Sequence, residues 1–265
     1  MLLKKSKGVN DVLEGLRNIN LPVYLAFSDI RQRYRRSSLG PFWISISMGV
    51  TVACIGLIFG NLFKTPMQEF LPFLSCGLIL WSFIASVINE STVVFPNSQG
   101  IIRQLPIPLF VHVERMILRN LYIFFHNLIV LPFVYLFVGK GITLNLLFFP
   151  IGLCILVLNL GWISLVLSII CARFRDLTQI VASILQIVFY VTPIIWMPTL
   201  LPERSSVMLL EPNPFFHLIE IVRSPLLGTL PTYSNLLWSV SYCLVGWIFA
   251  LYFFNKYRDR VAFWL

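Results

Sequence analysis

The chain has 265 residues, of which 58% are hydrophobic and only 12% charged. This composition is too apolar for a soluble globule of that length, so it predicts an integral membrane protein. The formal net charge of +9 indicates attraction to anionic lipid. Nucleic-acid binding is the weaker explanation, because no RNA- or DNA-binding motif occurs.

The first 41 residues are predicted to be a cytoplasmic segment that contains one amphipathic helix, at residues 21–36. One stripe of this helix is apolar, and it consists of Val23, Phe27, Ile30 and Tyr34. Arginines flank or oppose the stripe, at positions 31, 33, 35 and 36. The pattern is typical of a helix that lies in a membrane surface. Such a helix can bind anionic headgroups, dock a soluble partner, or do both.

Six apolar runs follow, each near the roughly 20 residues that cross a bilayer. They lie at about 42–63, 70–89, 120–138, 144–172, 177–201 and 234–254. We therefore expect an all-α integral membrane protein with six transmembrane helices. Residues 1–265 are predicted to form a single permease domain, with the spans within 42–254 and a cytoplasmic tail at 255–265.

The basic residues support this topology. If the loops alternate sides, one side has sixteen of the 20 lysines and arginines and the other has four, at 64, 140, 204 and 223. Because positive charge accumulates on the cytoplasmic side, both termini are predicted to be cytoplasmic.

Two features within the spans predict helix contacts. Gly49, Ala53, Gly56 and Gly60 form a smooth stripe along the first span, which allows another helix or another subunit to approach closely. Uncharged polar side chains within spans are costly in lipid, so they are predicted to point into the bundle. These residues are His126, Asn127, Asn159 and Gln186. They serve either as interhelical hydrogen-bonding groups or as the lining of a polar conduit.

Two connecting segments carry further structure. Residues 90–119 predict a proline-punctuated cytoplasmic loop with one short helix near 98–105. Between spans five and six, Asn213 is predicted to cap a short helix that begins at Pro214 and ends before Pro225. The apolar face would contain Phe215, Leu218, Ile219 and Val222, with His217, Glu220 and Arg223 off it. A re-entrant or interfacial helix that gates an exit is favoured over a plain loop.

Several mechanisms are disfavoured by missing motifs. No carboxylate lies in the middle of a span, which argues against a proton-coupled carrier, although His126 keeps that alternative open. No GxxxxGK[ST] phosphate loop occurs, so any uphill transport needs energy from another chain. A membrane-embedded enzyme is also disfavoured, because neither a DxD-like nor an HExxH string is present.

Three strings together resemble a known family. They are Ser28-Asp29-Ile30 with RYRRSSLG at 33–40 and Trp43, then ARFRDL at 172–177, and EPNP at 211–214 with Arg223. At these places relative to six spans, they resemble the ABC-2 type permeases that export polysaccharides, such as O-antigen, capsule and teichoic acid exporters.

The resemblance implies a homodimer bound to two copies of a separate ABC-type ATPase, in the cytoplasmic (inner) membrane of a bacterium. This chain then needs no cofactor, because ATP and Mg²⁺ bind the partner subunit, and it is not itself an enzyme. The substrate is a lipid-linked polysaccharide, threaded through a channel at the dimer interface. The alternative within the same class is an ABC-2 exporter of a smaller lipid or drug.

The resemblance also assigns roles to residues. The ATPase-coupling interface is predicted to contain Asp29, Arg33, Tyr34, Arg36 and Arg103. Aromatic side chains offer sugar rings flat apolar contact, and those predicted to line the channel are Trp43, Tyr122, Phe125, Tyr190 and Trp196. The external gate is predicted to contain Asn213, Phe215, Glu220 and Arg223.

Overall fold

The computed structural model describes residues 7–35, 37, 39–40, 42–141 and 143–265, without the side chains at 203 and 205–207. All regular elements within these residues are helical. The thirteen α-helices found there are α1 Lys7–Arg17, α2 Asn20–Tyr34, α3 Phe42–Phe63, α4 Met67–Ser91, α5 Val94–Asn97, α6 Gln99–Gln104, α7 Leu109–Leu128, α8 Val130–Val138, α9 Phe149–Arg173, α10 Leu177–Val191, α11 Glu203–Leu210, α12 Pro214–Leu227 and α13 Tyr233–Trp264. Two 3₁₀ turns, Leu144–Phe148 and Pro198–Leu200, precede α9 and α11. The prediction of an all-α fold is confirmed.

Five helical segments in the described part of the chain are long and apolar enough to cross a membrane. They are α3, α4, α7 with α8, the 3₁₀ turn with α9, and α13. Five of the six predicted spans therefore coincide with a helix of sufficient length. The bundle centres on α4, which is buried along most of its length and packs against α3, α7, α8, α9, α10 and α12.

The fifth predicted span, 177–201, differs from the structure. Its helix, α10, ends at Val191 after 15 residues, a length of about 22 Å against roughly 30 Å of hydrocarbon. The helix stops because Pro193 disfavours helical backbone at Thr192, which is extended in the structure. The chain then continues without helix through Thr192, Pro193 and Ile194, all buried against the bundle.

The predicted contact stripe of the first span is confirmed at Gly56 and Gly60, whereas Ala53 is exposed. A Cβ atom at Gly56 would lie 2.5 Å from Cδ1 of Leu71, and one at Gly60 would lie 2.6 Å from Sδ of Met67. A larger residue at either position would require the Leu71 or Met67 side chain to move, so Gly56 and Gly60 allow α3 to pack closely against α4 of the same chain.

The predicted loop at 90–119 is largely helical. The short helix expected near 98–105 is present as α6, but α7 begins at Leu109, eleven residues before the predicted third span. The early start has a long-range cause. The buried carboxylate of Asp11 accepts hydrogen bonds from the backbone N–H groups of Leu109 (3.1 Å) and Phe110 (2.9 Å), and so caps the helix.

Two helices precede the first span. A helix, α2, is present where the interface helix is predicted, but its apolar stripe divides: Ile30 packs into the bundle, whereas Val23 and Phe27 remain exposed. The other helix, α1, has no counterpart in the prediction. The guanidinium of Arg258 in α13 donates to Asp11 of α1 at 2.7 Å.

The helix between spans five and six lies deep in the bundle. Asn213 caps α12 as predicted, accepting from the N–H groups of Phe215 (3.0 Å) and Phe216 (3.3 Å). The predicted end is wrong, because α12 continues through Pro225 to Leu227 and stops at Gly228, whose φ of +89° suits glycine. The predicted division into an apolar and a polar face is also wrong. His217 and Arg223 are fully buried, because α12 packs against α4, α9 and α13 on several sides.

Candidate channel face and coupling interface

An ion-pair network joins α2 to the transmembrane bundle. The carboxylate of Asp29 accepts from Nε of Arg115 at 2.8 Å and from Nη1 of Arg119 at 2.9 Å. A second guanidinium nitrogen of Arg115 completes a bidentate pair with Asp29. All three side chains are largely buried, and charge-assisted bonds of this kind are the strong ones in proteins.

The same network reaches α4. Nη2 of Arg119 donates to the carboxylate of Glu90 at 2.6 Å, and the Asn120 amide donates to the same oxygen at 2.7 Å. Arg119 therefore bridges two carboxylates that lie on different helices. Burial alone would raise the pKa of Asp29, but the guanidiniums of Arg115 and Arg119 outweigh it and hold that pKa below its usual range. The group is charged at neutral pH, and α2 cannot shift without moving α7 and α4 or breaking these bonds.

The other predicted coupling residues lie at the surface or partly so. Arg33 at the end of α2 and Arg103 on α6 are exposed, and Tyr34 is half-buried. Arg36 lies outside the described residues. The structure thus places Asp29 at the internal joint, while Arg33 and Arg103 are accessible to a partner.

The exposed surface of α10 has a polar stripe. Gln179, Ser183, Gln186 and Tyr190 follow helical spacing of four, three and four residues, and all four are exposed. A parallel apolar stripe, formed by Ile180, Ile184, Ile187 and Val191, lies one residue further round the helix. The prediction that Gln186 points into the bundle is therefore wrong. Polar side chains in the middle of an apolar helix are costly against lipid, so this stripe requires a polar neighbour outside the chain.

A second polar stripe runs along the exposed side of α3. Its polar members are Ser47, Thr51, Cys54 and Asn61, with Trp43 at one end and Ile58 between Cys54 and Asn61. The Thr51 hydroxyl and the Asn61 amide also donate to backbone carbonyls of α3 itself, at 2.8 Å each. The exposed side of α13 differs. From Leu236 to Tyr252 every exposed residue is aliphatic or aromatic, as expected for contact with lipid. The polarity of α3 and α10 is therefore not a general property of the outer surface of the bundle.

The predicted channel aromatics fall into separate groups. Trp43 and Tyr190 are exposed on the two polar stripes, and the Trp196 indole donates to the Tyr190 carbonyl at 3.1 Å. Tyr122 instead stacks on His126, with ring centroids 4.3 Å apart. Phe125 lines a groove between α7, α8 and the start of α9. Trp43, Tyr190 and Trp196 thus lie on or beside the polar stripes, whereas Tyr122 and Phe125 have other neighbours in the structure.

His126 and Asn159 have structural partners. Nδ1 of His126 lies 3.1 Å from the Tyr122 carbonyl oxygen. The Asn159 amide donates to the Ser239 carbonyl of α13 at 3.1 Å, so its predicted interhelical role is confirmed.

Two of the predicted gate residues, Arg223 and Glu220, contact each other in a cluster around the fully buried Arg223. Its guanidinium donates to the Pro193 carbonyl at 2.7 Å and pairs with Glu220. It also lies 3.9 Å from the centroid of the Phe73 ring, a cation–π contact. Arg223 therefore provides a hydrogen-bond donor for a buried carbonyl of the segment that follows α10, and it holds this segment against α12 and α4.

Asn213 and Phe215 attach the start of α12 to the same region. The Asn213 amide donates to the Thr192 hydroxyl at 2.9 Å, and the Phe215 ring meets Trp81 edge-on with centroids 6.0 Å apart. The four predicted gate residues are thus close together, but within the protein and not on an exposed face.

The network of Arg115, Arg119 and Glu90 is absent from the sequence-based prediction, in which the two arginines count only among the sixteen basic residues of the cytoplasmic side. The available signal was their spacing. Two arginines four residues apart, with Asn120 beside them, form one polar face on a helix that continues into an apolar run. The stripe on α10 has a similar signal in the spacing of Gln179, Ser183 and Gln186.

Comparison with known proteins now decides the family. Residues 23–227, more than three quarters of the chain, match the family described as ABC-2 type transporter. The chain belongs to that family. The resemblance noted in the sequence is confirmed, and the ABC-2 permease is a transport subunit that works with an ABC ATPase.

Curated relatives of the ABC-2 permease are named for export of a polysaccharide. An O-antigen export system permease protein RfbA of Klebsiella pneumoniae is 27% identical over 251 residues, which cover 92% of this chain and 94% of the relative. A protein with the same name from Myxococcus xanthus is 22% identical over 200 residues, covering 75% of this chain and 77% of the relative.

Proposed function

We propose that this ABC-2 permease is the channel-forming membrane subunit of an ATP-driven exporter that moves a lipid-linked, O-antigen-like polysaccharide across the cytoplasmic membrane. The substrate class is supported by the names of relatives that match nearly end to end. A smaller lipid or drug is the alternative cargo, and no feature of the described residues favours it.

The observation that carries the proposal is the pair of polar stripes on α3 and α10. Both stripes are exposed in the single chain, whereas the exposed side of α13, from Leu236 to Tyr252, is apolar as expected for contact with lipid. In a homodimer, the exposed faces of α3 and α10 in each chain would turn toward the partner. The polar stripes on these faces would then line a shared conduit. Such a conduit suits a glycan, because it offers amide and hydroxyl groups beside aromatic rings, without fixed charges that would hold the polymer.

The topology consistent with this role has six crossings, with both termini in the cytoplasm. In that arrangement α10 and the non-helical segment from Thr192 to Trp196 cross the bilayer together. Non-helical backbone is tolerated at membrane depth only where it is buried in protein, and the burial of Thr192, Pro193 and Ile194 meets that condition.

The ATPase stroke enters through α2. In this account two ATPase subunits contact α2 and α6, where Arg33 and Arg103 are exposed. Movement passes through Asp29 to Arg115 and Arg119, and from Arg119 to Glu90 on α4. Because α4 packs against α3, α10 and α12, its displacement reaches both channel helices and the Arg223 cluster, which we propose as the external gate.

Purification from the native host tests the assignment. A tag on this chain should bring down an ABC-type ATPase at one to one, and vesicles that contain the pair should hydrolyse ATP faster when lipid-linked glycan is present. Recovery of a stable chain without ATPase would contradict the proposal. The Walker-motif lysine of the ATPase provides the control, because its replacement should abolish hydrolysis and leave assembly intact.

A further inference from the structure

An apolar groove opens on the outer surface of the bundle, away from the polar stripes. It has a volume of about 600 Å³ and lies between α7, α8, the 3₁₀ turn before α9 and the end of α12. Side chains such as Phe125, Leu128, Leu136 and Leu146 form its walls. Its size is in the range of ligand sites in proteins.

The groove has the length and position of a lipid chain. From Phe125 to Leu136, the first and last residues of α7 and α8 that line the groove, the helical rise is about 17 Å. One leaflet of the hydrocarbon core is about 15 Å thick. Phe125, Ile129 and Leu136 are exposed to the surroundings of the bundle, so a chain can enter sideways from the membrane.

One cation lies at the end of the groove. Lys140 follows Gly139, which ends α8 in a left-handed conformation with φ of +71°. The lysine is half-buried and has no ion-pair partner among the described side chains. No acidic residue lines the groove within the described part of the chain, so an anion that binds there meets no like charge.

Polar groups beside Lys140 have their own partners. The Tyr135 hydroxyl donates to the Leu226 carbonyl, and the Asn145 amide donates to the Gly228 carbonyl at 2.7 Å. These bonds fix α8 and the 3₁₀ turn against the end of α12. The walls of the groove are therefore formed in advance. Lys140, whose ammonium lies 6.0 Å from the centroid of the Tyr135 ring, is the charged residue among those described that line the groove.

We infer that this groove binds an anionic phospholipid, with one acyl chain between α7, α8 and the 3₁₀ turn and the phosphodiester beside the Lys140 ammonium. In the proposed topology the headgroup is in the outer leaflet. Because the groove contacts the end of α12, a bound lipid would stabilise the position of the helix that carries Arg223. The site does not depend on which polysaccharide is exported.

The test uses the purified permease–ATPase complex in phosphatidylcholine vesicles with a trace of phosphatidylglycerol that carries a diazirine in its acyl chain. After illumination, mass spectrometry should map the label to peptides that contain 125–149. Loss of one lysine contact should lower labelling about five-fold, so that decrease is expected for Lys140→Gln. Leu146→Trp, which fills the groove, should have a similar effect.

Two controls are matched to these variants. Lys64→Asn removes another basic residue of the same predicted side, and asparagine tolerates the φ of +52° at that position. Leu147→Trp adds the same ring to a neighbouring residue that does not line the groove. Both should label like the parent protein.

Three results would overturn the inference. The first is a phosphatidylcholine probe that labels the groove as strongly as the phosphatidylglycerol probe, with no effect of Lys140→Gln. This result would show that the headgroup charge does not determine binding. The second is labelling that spreads evenly over the apolar surface of α13. The third is displacement of the probe by polyprenyl phosphate at concentrations where added phosphatidylglycerol has no effect, because the occupant would then be a different lipid. Lys140→Gln keeps the test decisive even if Leu146→Trp fails to fold.

Discussion

Asp29 joins the interface helix α2 to two arginines of α7, and its environment sets the strength of that joint. Arg115 and Arg119 hold its pKa below the usual value near 4. A carboxylate with a depressed pKa contributes stability above its unfolded-state pKa and loses it as the pH falls through the folded value. The joint should therefore be intact at pH 5 and neutral pH alike.

Replacing Asp29 with Asn should uncouple ATP hydrolysis from export. The change leaves Arg115 without its described carboxylate partner, whereas Arg119 keeps Glu90. Hydrogen bonds to charged groups contribute about 1.5–3 kcal/mol each. We expect at least a tenfold loss of glycan export at an unchanged level of membrane-inserted protein, measured as surface polysaccharide per permease.

Asp259→Asn is the control for that variant, because the Asp259–Lys7 pair is exposed and exposed pairs contribute little. Normal export by Asp29→Asn would show that the network is structural only.

Arg223 is expected to be the most sensitive single position for stability. It is fully buried and joins Glu220, the Pro193 carbonyl and the Phe73 ring. Removing one partner of a buried pair costs about 3–5 kcal/mol because the other charge stays unpaired. Arg223→Met should lower the thermal unfolding temperature of the detergent-solubilised protein.

Glu220→Gln added to Arg223→Met should recover part of that loss, since it removes the orphan charge. The pairing would be contradicted if the two changes were additive, that is, if Glu220→Gln destabilised the Arg223→Met variant as much as it destabilises the parent protein.

At the scale of elements, some local signals predict the structure correctly, although Pro225 does not end α12 as predicted. Contacts between residues far apart in the sequence are not predicted. The Asn213 cap and the Gly56–Gly60 contact depend on residues that are close together in the sequence, so the sequence alone predicts them. The early start of α7 depends on Asp11, 98 residues away, and the burial of Arg223 depends on the broken end of α10. No local pattern contains those partners.

The break after α10 also explains a close contact in α4. A Cβ atom at Gly77 would lie 3.1 Å from the Ile194 carbonyl oxygen, so the non-helical segment lies directly on the α4 backbone. Gly77→Val should push that segment outward and reduce export, because it would also disturb the Pro193 carbonyl that Arg223 binds.

Limited proteolysis between residues 192 and 202 would measure the Gly77→Val effect, with faster cleavage expected. Gly141→Val is the control, since a Cβ atom there has no described atom within 4 Å. Equal cleavage of the two variants would contradict this account of the contact.

At the scale of the molecule, composition and charge predicted the class, and the resemblance predicted the family that the comparison confirmed. The individual channel residues were harder to predict, because aromatic side chains serve equally in lipid contact, in packing and in a conduit. Tyr122 and Phe125 show this ambiguity, since one stacks on His126 and the other lines the groove. Exposure in the fold was needed to separate the polar stripe of α10 from the lipid-type surface of α13.

The central claim is that a glycan passes along the polar stripe of α10, and photo-crosslinking in exporting cells tests it most directly. A photoreactive amino acid at Gln186 should capture the polysaccharide on illumination, in a reaction that needs an active ATPase. The same group at Ile187, one residue away on the apolar stripe, should capture lipid and little or no glycan. Capture of glycan at Ile187 and not at Gln186, or equal capture at both with an inactive ATPase, would contradict the proposed channel.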